Sequence, residues 1–238
     1  MSDGRVCAVL TGDIVLSKRF TEKGPAISIT IREAYRAAED AFEDTLVGLD
    51  VFRGDSWQML LRAPNKALRI ALLMRALIRS RKDLPHADTR IAIGLGELAF
   101  VDHQNISESQ GEAFTLSGQA LERLTGGDVR LAAALPGSLA PQGTQLLSPQ
   151  ETLDTVMTLL DTICAGWTAA KAETVAGALR GWKQERIADE RGVAQSTISR
   201  VLSSANWPAI CQAVEWWERA VTFTNTVSKK DDLPDVAD

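Results

Sequence analysis

The sequence predicts an α+β protein in two parts, a helix-backed sheet followed by an all-helical region. Strand and helix patterns alternate over residues 1–135, whereas only helical patterns follow position 148. Between them lies a segment rich in Pro, Gly and Ser, so residues 136–149 are the predicted linker. Five of the six tryptophans lie at or beyond Trp167, which is typical of a small helical domain with large core side chains.

The predicted elements of the first part follow one another with short connections. They are a strand at 6–10, a helix over 25–46, strands at 49–53 and 56–62, a helix from position 64 to before Pro85, a strand at 89–95 with a short partner at 98–101, a helix over 111–124 and a strand at 129–135. The order strand, helix, hairpin, helix, strand, helix, strand is typical of ferredoxin-like and palm folds.

Composition restricts the function classes. No apolar run approaches the roughly 20 residues that span a bilayer, and the first residues lack the layout of a signal peptide, so we expect a cytoplasmic protein without a membrane partner. The net charge of −5 argues against binding nucleic acid through bulk charge, but it permits a locally basic surface. Three widely spaced cysteines, Cys7, Cys164 and Cys211, favour buried reduced thiols over disulfides or a zinc site.

Two apolar strand segments each lead into or out of a Gly-Asp pair, Gly12-Asp13 and Gly54-Asp55. A right-handed crossover makes the first two strands parallel, so we expect both aspartates at the same edge of the sheet. Carboxylates within about 4–6 Å repel or recruit a cation, and Mg²⁺ with nucleotide phosphates suits such oxygen ligands. The four residues are therefore the predicted cofactor-binding residues, with the aspartates as metal ligands. Turn geometry alone is the alternative explanation.

The most specific pattern is GWKQERIADERGVAQSTISRVLSSANW, residues 181–207. Ile187 and Ala188 lie on one short helix, Gly192 supplies the turn, and the predicted core anchors of a second helix are Val193, Ile198 and Val201. The spacing predicts a helix-turn-helix whose recognition helix, 195–204, enters a major groove. A helical hairpin that serves only packing is the alternative. Arg191 departs from the pattern, because an apolar residue is usual there, and it either loosens the turn or reaches a phosphate.

Polar residues on the predicted recognition helix are the candidate DNA contacts. Gln195 and Arg200 can pair with adenine and guanine through two hydrogen bonds each, whereas serine and threonine contact bases or phosphates. The predicted DNA-binding set is Gln195, Ser196, Thr197, Ser199, Arg200 and Lys183.

The charge around this pattern predicts a homodimer on double-stranded DNA. Residues 170–202 carry six Lys or Arg against four acids, a balance of only +2, so a single copy would bind weakly and two half-sites are expected. The amphipathic helix over 207–221 could pair subunits through Trp207, Ile210, Val214 and Trp217, or it could cap its own domain. Residues 150–225 form the predicted DNA-binding domain, and residues 226–238 a disordered acidic tail.

Several of these stretches resemble the SatD family of bacterial proteins, over about residues 5–221. The resemblance rests on AVLTGDIVLSKR, FRGDSWQMLL, QGEAFTLSGQALERL and WTAAKAETVAGALRG, which runs into KQERIADERGVAQSTISRVLSSANW. The first half is also similar, through shorter motifs, to class III nucleotide cyclase catalytic domains. That similarity implies that Asp13 and Asp55 match the two metal-binding aspartates.

Other cyclase positions are not kept. Val51 stands where the resemblance places a base-reading lysine, and Thr115 where it places a ribose-orienting asparagine. Gln119 replaces the transition-state arginine, which should cost several orders of magnitude in rate. Arg123, one helical turn further on, is a poor substitute.

The expected function is a sequence-specific DNA-binding transcriptional regulator. Its degenerate cyclase-like domain is expected to be a non-catalytic sensor of a nucleotide or metal. An active nucleotide cyclase tethered to DNA is the alternative from another class, and a ligand-free dimer scaffold is the third hypothesis.

Overall fold

The computed structural model describes residues 6–15, 24–137 and 148–221, and within these ranges it is a mixed α+β protein. Its strands are β1 (Val6–Val15), β2 (Leu46–Phe52), β3 (Ser56–Leu61), β4 (Asp88–Phe100), β5 (Gln110–Gly111) and β6 (Leu131–Ala134). Its helices are α1 (Gly24–Ala41), α2 (Ala67–Arg79), α3 (Glu112–Leu124), α4 (Pro149–Ala165), α5 (Ala169–Leu179), α6 (Gln184–Arg191), α7 (Gln195–Ser204) and α8 (Trp207–Ala220). Most of the predicted linker and the whole predicted tail lie outside the described residues.

The sheet is mainly antiparallel, with the order β2-β3-β1-β4-β5 and with β6 parallel to β4. β1 is antiparallel to both β3 and β4, and β2 is antiparallel to β3. β1 and β2 therefore run parallel to each other, as the crossover predicts, but β3 lies between them.

Both faces of the sheet are covered by helices, and the alternation of side chains along β1 explains how. Ala8 and Leu10 belong to the large core beneath α1 and α2. Cys7 and Val9 point the other way, into a smaller core with residues of α3 such as Phe114. Since successive strand residues face opposite sides, an apolar run such as that of β1 fits a strand that is buried on both faces.

Several predicted boundaries differ from the structure. β1 continues beyond the predicted 6–10 to Val15, so Gly12 and Asp13 lie inside the strand and not at its end. The first helix ends at Ala41, and Leu46, although at helical spacing, begins β2 after a turn in which Asp44 has φ +59°. Pro64 opens a short 3-10 turn before α2 begins. β4 is one strand of 13 residues rather than two. Its Gly94 does not interrupt the strand but lets α3 approach, because an added Cβ would lie 2.2 Å from the carbonyl oxygen of Ala113.

The helical region packs directly on the sheet-bearing part. Ten of the thirteen residues of α2 are buried, and buried residues of α2, α4, α5 and α8 belong to the same core cluster. The indole nitrogen of Trp217 in α8 donates to the carbonyl oxygen of Pro64 at 3.0 Å. No helix within the described ranges is long and apolar enough to span a membrane.

Of the two alternatives for α8, the structure favours the cap over subunit pairing. Ile210, Val214 and Trp217 are each at most 1% exposed, because they are buried against their own chain. Trp207 is partly buried and packs against the same core. The helix therefore caps its own chain, which the sequence left as the other alternative.

A buried charged network joins the two parts. Arg75 of α2 donates to both carboxylate oxygens of Asp88 in β4, at 2.9 and 3.1 Å, and to Asp161 of α4 at 2.5 Å. Arg79 donates to Asp88 at 2.6 Å and to the carbonyl oxygen of Trp167 at 2.6 Å. The network thereby links α2, β4, α4 and the α4–α5 connection.

The charges in this network determine the protonation of its carboxylate. Burial alone would raise the pKa of Asp88, but the guanidinium groups of Arg75 and Arg79 and a hydrogen bond from Arg130 hold it below its usual value. Burial also raises the pKa of the nearby Cys164 thiol to about 12. Asp88 is therefore ionised at neutral pH, and Cys164 is an unreactive thiol.

We predict that Asp88→Asn destabilises the whole chain by about 3–5 kcal/mol, because removing one partner of a buried ion pair leaves uncompensated charge. Urea unfolding followed by circular dichroism measures the change. Asp83→Asn is the matched control, since Asp83 is 52% exposed in its ion pair with Arg81, and such pairs contribute about 0–1 kcal/mol. Equal effects of the two substitutions would contradict the role of Asp88.

Candidate nucleic-acid interface and sheet-edge site

Two short helices, α6 and α7, form the predicted DNA-binding element. Gly192 ends α6 in the left-handed conformation, with φ +63° and ψ +38°. Glycine adopts this conformation without steric cost. The amide of Val193 then donates to the carbonyl oxygen of Ala188 at 3.0 Å, and α7 begins at Gln195 after a three-residue turn.

The anchors of these helices agree only in part with the sequence prediction. Ile187, Ala188 and Ile198 are buried. Val193, a predicted anchor, is 37% exposed, because it lies in the turn, and Leu202 is buried in α7 instead. Val201 is only half-buried.

Arg191 neither loosens the turn nor remains free to reach a phosphate. Its guanidinium forms an ion pair with Glu173 at 3.1 Å and donates to the hydroxyl of Thr174, both on α5. The unusual arginine at this position therefore holds α6 against α5.

The face of α7 that carries the candidate contacts is open to solvent. Gln195, Ser196, Ser199 and Arg200 are exposed, Thr197 is half-buried, and Lys183 is exposed just before the first residue of α6. Arg200 Nε donates to the carbonyl oxygen of Ser196 at 3.3 Å, which leaves its other nitrogens available.

Gln184 is a site residue that the sequence analysis missed. The side-chain amide of Gln195 donates to the Gln184 side-chain oxygen at 2.5 Å. One amide hydrogen and the amide oxygen of Gln195 then remain for a partner, which is the pair of groups that recognises adenine. The only sequence signal is that both glutamines are the first residues of their helices.

At the sheet edge, Asp13 and Asp55 are neighbours. Asp13 pairs with Ser56 in the β1–β3 register, and the amide of Ile14 donates to the carbonyl oxygen of Asp55 at 3.0 Å. The side chain of Asp13, however, is bound by Arg90 of β4, whose Nε and Nη2 donate to the two carboxylate oxygens at 2.8 Å each. Strand register creates this pair, so no local sequence signal could have found it.

The two glycines of this edge have structural roles. An added Cβ on Gly12 would lie 2.4 Å from the ring of Trp57, so packing requires glycine there. Gly54 has φ +83° in the β2–β3 turn, next to Arg53 at φ +54°, and its carbonyl oxygen accepts a hydrogen bond from the Ser28 hydroxyl. The turn-geometry explanation therefore fits Gly54, whereas Gly12 and Asp13 lie inside β1 and not in a turn.

The side chains at this edge do not fit Mg²⁺ as they are arranged. Both oxygens of Asp13 are engaged by a cation of the protein itself, and the one bond that Asp55 accepts from the described side chains is long, 3.4 Å, from the Ser56 hydroxyl. In the part of the chain that the structure describes, no three His, Cys, Asp or Glu side chains are grouped to hold a metal ion. Asp13 would have to release Arg90 before it could coordinate Mg²⁺.

The three other positions that the cyclase resemblance implies, Val51, Thr115 and Gln119, carry uncharged side chains. Val51 is paired with Trp57 inside the hairpin. The Thr115 hydroxyl donates back to the carbonyl oxygen of Gly111, and Gln119 is exposed on α3.

The chain matches no model of a known protein family, and a comparison with curated proteins finds no match.

We predict that Gly12→Ala destabilises the protein by about 1–3 kcal/mol, because the new methyl group would overlap the Trp57 ring. Gly118→Ala, in α3, has nothing within 4 Å of the added atom, and it should stabilise the helix by about 0.5–1 kcal/mol. Thermal and urea unfolding of both variants give the two signs. A neutral Gly12→Ala would refute the packing role.

Proposed function

We propose that the chain is a sequence-specific DNA-binding transcriptional regulator of the SatD family, with a non-catalytic cyclase-like domain. The observation that carries this proposal is the solvent-exposed start of α7, where Gln184 orients the side chain of Gln195. Any surface helix exposes polar side chains, so the specific support for recognition is the hydrogen bond that orders Gln195.

In this proposal α7 lies in the major groove as the recognition helix of a helix-turn-helix. Gln195 pairs with an adenine and Arg200 with a guanine. Ser196, Thr197 and Ser199 contact bases or phosphates, and Lys183 contacts the backbone beside the start of α6. Arg191 takes no part, because Glu173 and Thr174 bind it.

The proposed DNA-binding unit is a homodimer. The balance of +2 over residues 170–202 gives one copy few phosphate contacts, and two copies on half-sites about 34 Å apart would double them. The face of α8 is already buried, so a dimer contact must use another surface.

The sheet-bearing part supports a degenerate, cyclase-like origin. The element order β1-α1-β2-β3-α2-β4 and the sheet order β2-β3-β1-β4 are typical of ferredoxin-like and palm folds. Gln119 lacks the charge of a transition-state arginine, and Arg90 neutralises Asp13. A phosphoryl-transfer site needs concentrated positive charge at the transferring group, so we infer that this domain does not perform that chemistry.

An active cyclase is the second candidate, and the observation in its favour is that Asp13 and Asp55 lie at one edge. When bound there, Mg²⁺ would neutralise nucleotide phosphates. In the chain itself, Asp13 and Asp55 would have to supply the oxygen ligands, which requires Arg90 to move aside.

We predict that Arg200→Ala weakens binding to a specific DNA site by about 1–3 kcal/mol and removes the preference at one base position.

Gln184→Ala should lower adenine discrimination without altering non-specific binding, because it leaves Gln195 in place but unoriented. Fragments selected from the host genome supply the site, and fluorescence anisotropy over a range of salt concentrations measures affinity. Arg32→Ala, an exposed arginine on α1, is the control.

Failure to select any site, or an equal loss of affinity in the Arg32 control, would count against the regulator proposal. A uniform loss on all sequences for Arg200→Ala would instead assign this residue to phosphate contact.

We predict that incubation with ATP or GTP and Mg²⁺ or Mn²⁺ yields no cyclic nucleotide. The reason is that Gln119 and Val51 stand where the cyclase resemblance places the transition-state arginine and the base-reading lysine. Liquid chromatography of the products tests this. Product that disappears in Asp13→Ala and Asp55→Ala would establish the cyclase function instead.

A further inference from the structure

A cavity of about 440 Å³ lies between α1 and the connection from α5 to α6. Asp40 and two alanines line it from α1, and Arg180, Trp182 and Arg186 line it from the other side. Its volume falls within the roughly 300–1,000 Å³ of small-molecule sites. It is separate from the sheet edge and from the exposed face of α7.

The cavity carries positive charge that the chain does not pair. The guanidinium carbons of Arg186 and Arg180 lie 4.0 and 4.8 Å from the centroid of the Trp182 ring. Among the described residues, no carboxylate forms an ion pair with either arginine. Asp40 and Glu190 act on Arg180 only through longer-range charge. Arg191 and Arg90, which are partly buried like Arg180, each form a direct ion pair, whereas Arg186 is exposed.

Arg180 also has an unsatisfied donor. Its Nε is buried and has no hydrogen-bond partner. Burial, followed by the charge of Arg186, lowers the pKa of Arg180. Buried donors without partners are rare in folded proteins, so the guanidinium of Arg180 keeps hydrogen-bonding capacity that the described residues do not use.

We propose that this cavity binds a small phosphate monoester, whose phosphate is held by Arg180 and Arg186. A phosphate dianion matches the charge of two guanidinium groups, and its oxygens accept several N–H bonds at once. Asp40, on the opposite wall, accepts a hydrogen bond from a hydroxyl or amino group of the same ligand. Trp182 holds both guanidinium groups in place through its ring.

The location gives the ligand a regulatory role, which rests on the proposed DNA-binding function. Gly181, with φ +79°, lies in the short connection between α5 and α6. A ligand that bridges Asp40 and Arg186 would fix α6 relative to α1, and α7 follows α6 after a three-residue turn. Ligand and DNA would then change each other's affinity by the same factor, typically about 5–150-fold.

Contact with the DNA backbone is the competing use of these arginines. The cavity position of the half-buried Arg180 and the carboxylate of Asp40 in the opposite wall favour the small ligand. Arg186 is exposed, as a contact with a duplex would require, but Asp40 beside it would repel the phosphates of the duplex.

The test uses the full chain without DNA, so that it is independent of the DNA-binding proposal. Thermal unfolding and isothermal titration compare AMP with adenosine, which differ only in the phosphate, and with inorganic phosphate, all at constant ionic strength. We expect AMP to raise the melting temperature in a saturable way and adenosine to have no effect. Arg180→Met and Arg186→Met should each weaken AMP binding at least about tenfold, whereas Arg32→Met should leave it unchanged.

Two results would overturn the proposal: no stabilisation by AMP or inorganic phosphate at millimolar concentration, or an equal loss in Arg32→Met. If the two methionine variants instead lower DNA affinity and the salt dependence of binding, while the wild type ignores AMP, the arginines contact DNA and the proposal is wrong. Arg180→Lys keeps the positive charge but not the planar guanidinium that donates two parallel hydrogen bonds. An intermediate AMP affinity of this variant would exclude misfolding as the cause of the loss in the methionine variants.

Discussion

The ion pairs of the buried Asp88 carboxylate are the interactions that set how the helical region packs on the sheet-bearing part. It is 1% exposed and accepts bonds from Arg75, Arg79 and Arg130 and from the amide of Thr89. A charge in such a position is tolerated only when it is fully paired. Since its partners lie on three different segments and Arg75 also binds Asp161, one carboxylate fixes α2 and α4 relative to the sheet. Apolar contacts alone would allow several packings of these helices.

Helix α2 lies between the sheet and the helices that hold the proposed recognition helix, α7. α2 is buried on nearly all sides, with the sheet and α1 on one side and α5 on the other. The ion pair of Arg191 with Glu173 then holds α6 to α5, and Ile198 of α7 lies in the same core. The proposed DNA-binding face is thus positioned relative to the sheet by a continuous series of packed elements.

Local patterns predicted local structure well. Gly192, Ile187 and Ile198 were enough to place α6, its turn and α7, because each acts within a few residues. The Gly54-Asp55 hairpin was found for the same reason. The ion pairs of Asp13 with Arg90 and of Asp88 with Arg75 were not, since they depend on strand register and tertiary packing. Amphipathicity gave α8 an apolar face but could not say whether this face meets its own chain or a second copy.

The distribution of unpaired charge separates the two candidate ligand sites. At the sheet edge the carboxylate of Asp13 is already paired with Arg90. A metal ion could therefore bind this carboxylate only by displacing the two hydrogen bonds from Arg90. At the cavity beside α1, Arg180 and Arg186 have no ion-pair partner within the described residues, and the Nε of Arg180 is buried without an acceptor. A ligand binds where it satisfies groups that folding leaves unsatisfied. The sheet edge therefore offers an anionic or cationic ligand less unbalanced charge than the proposed site beside α1 does.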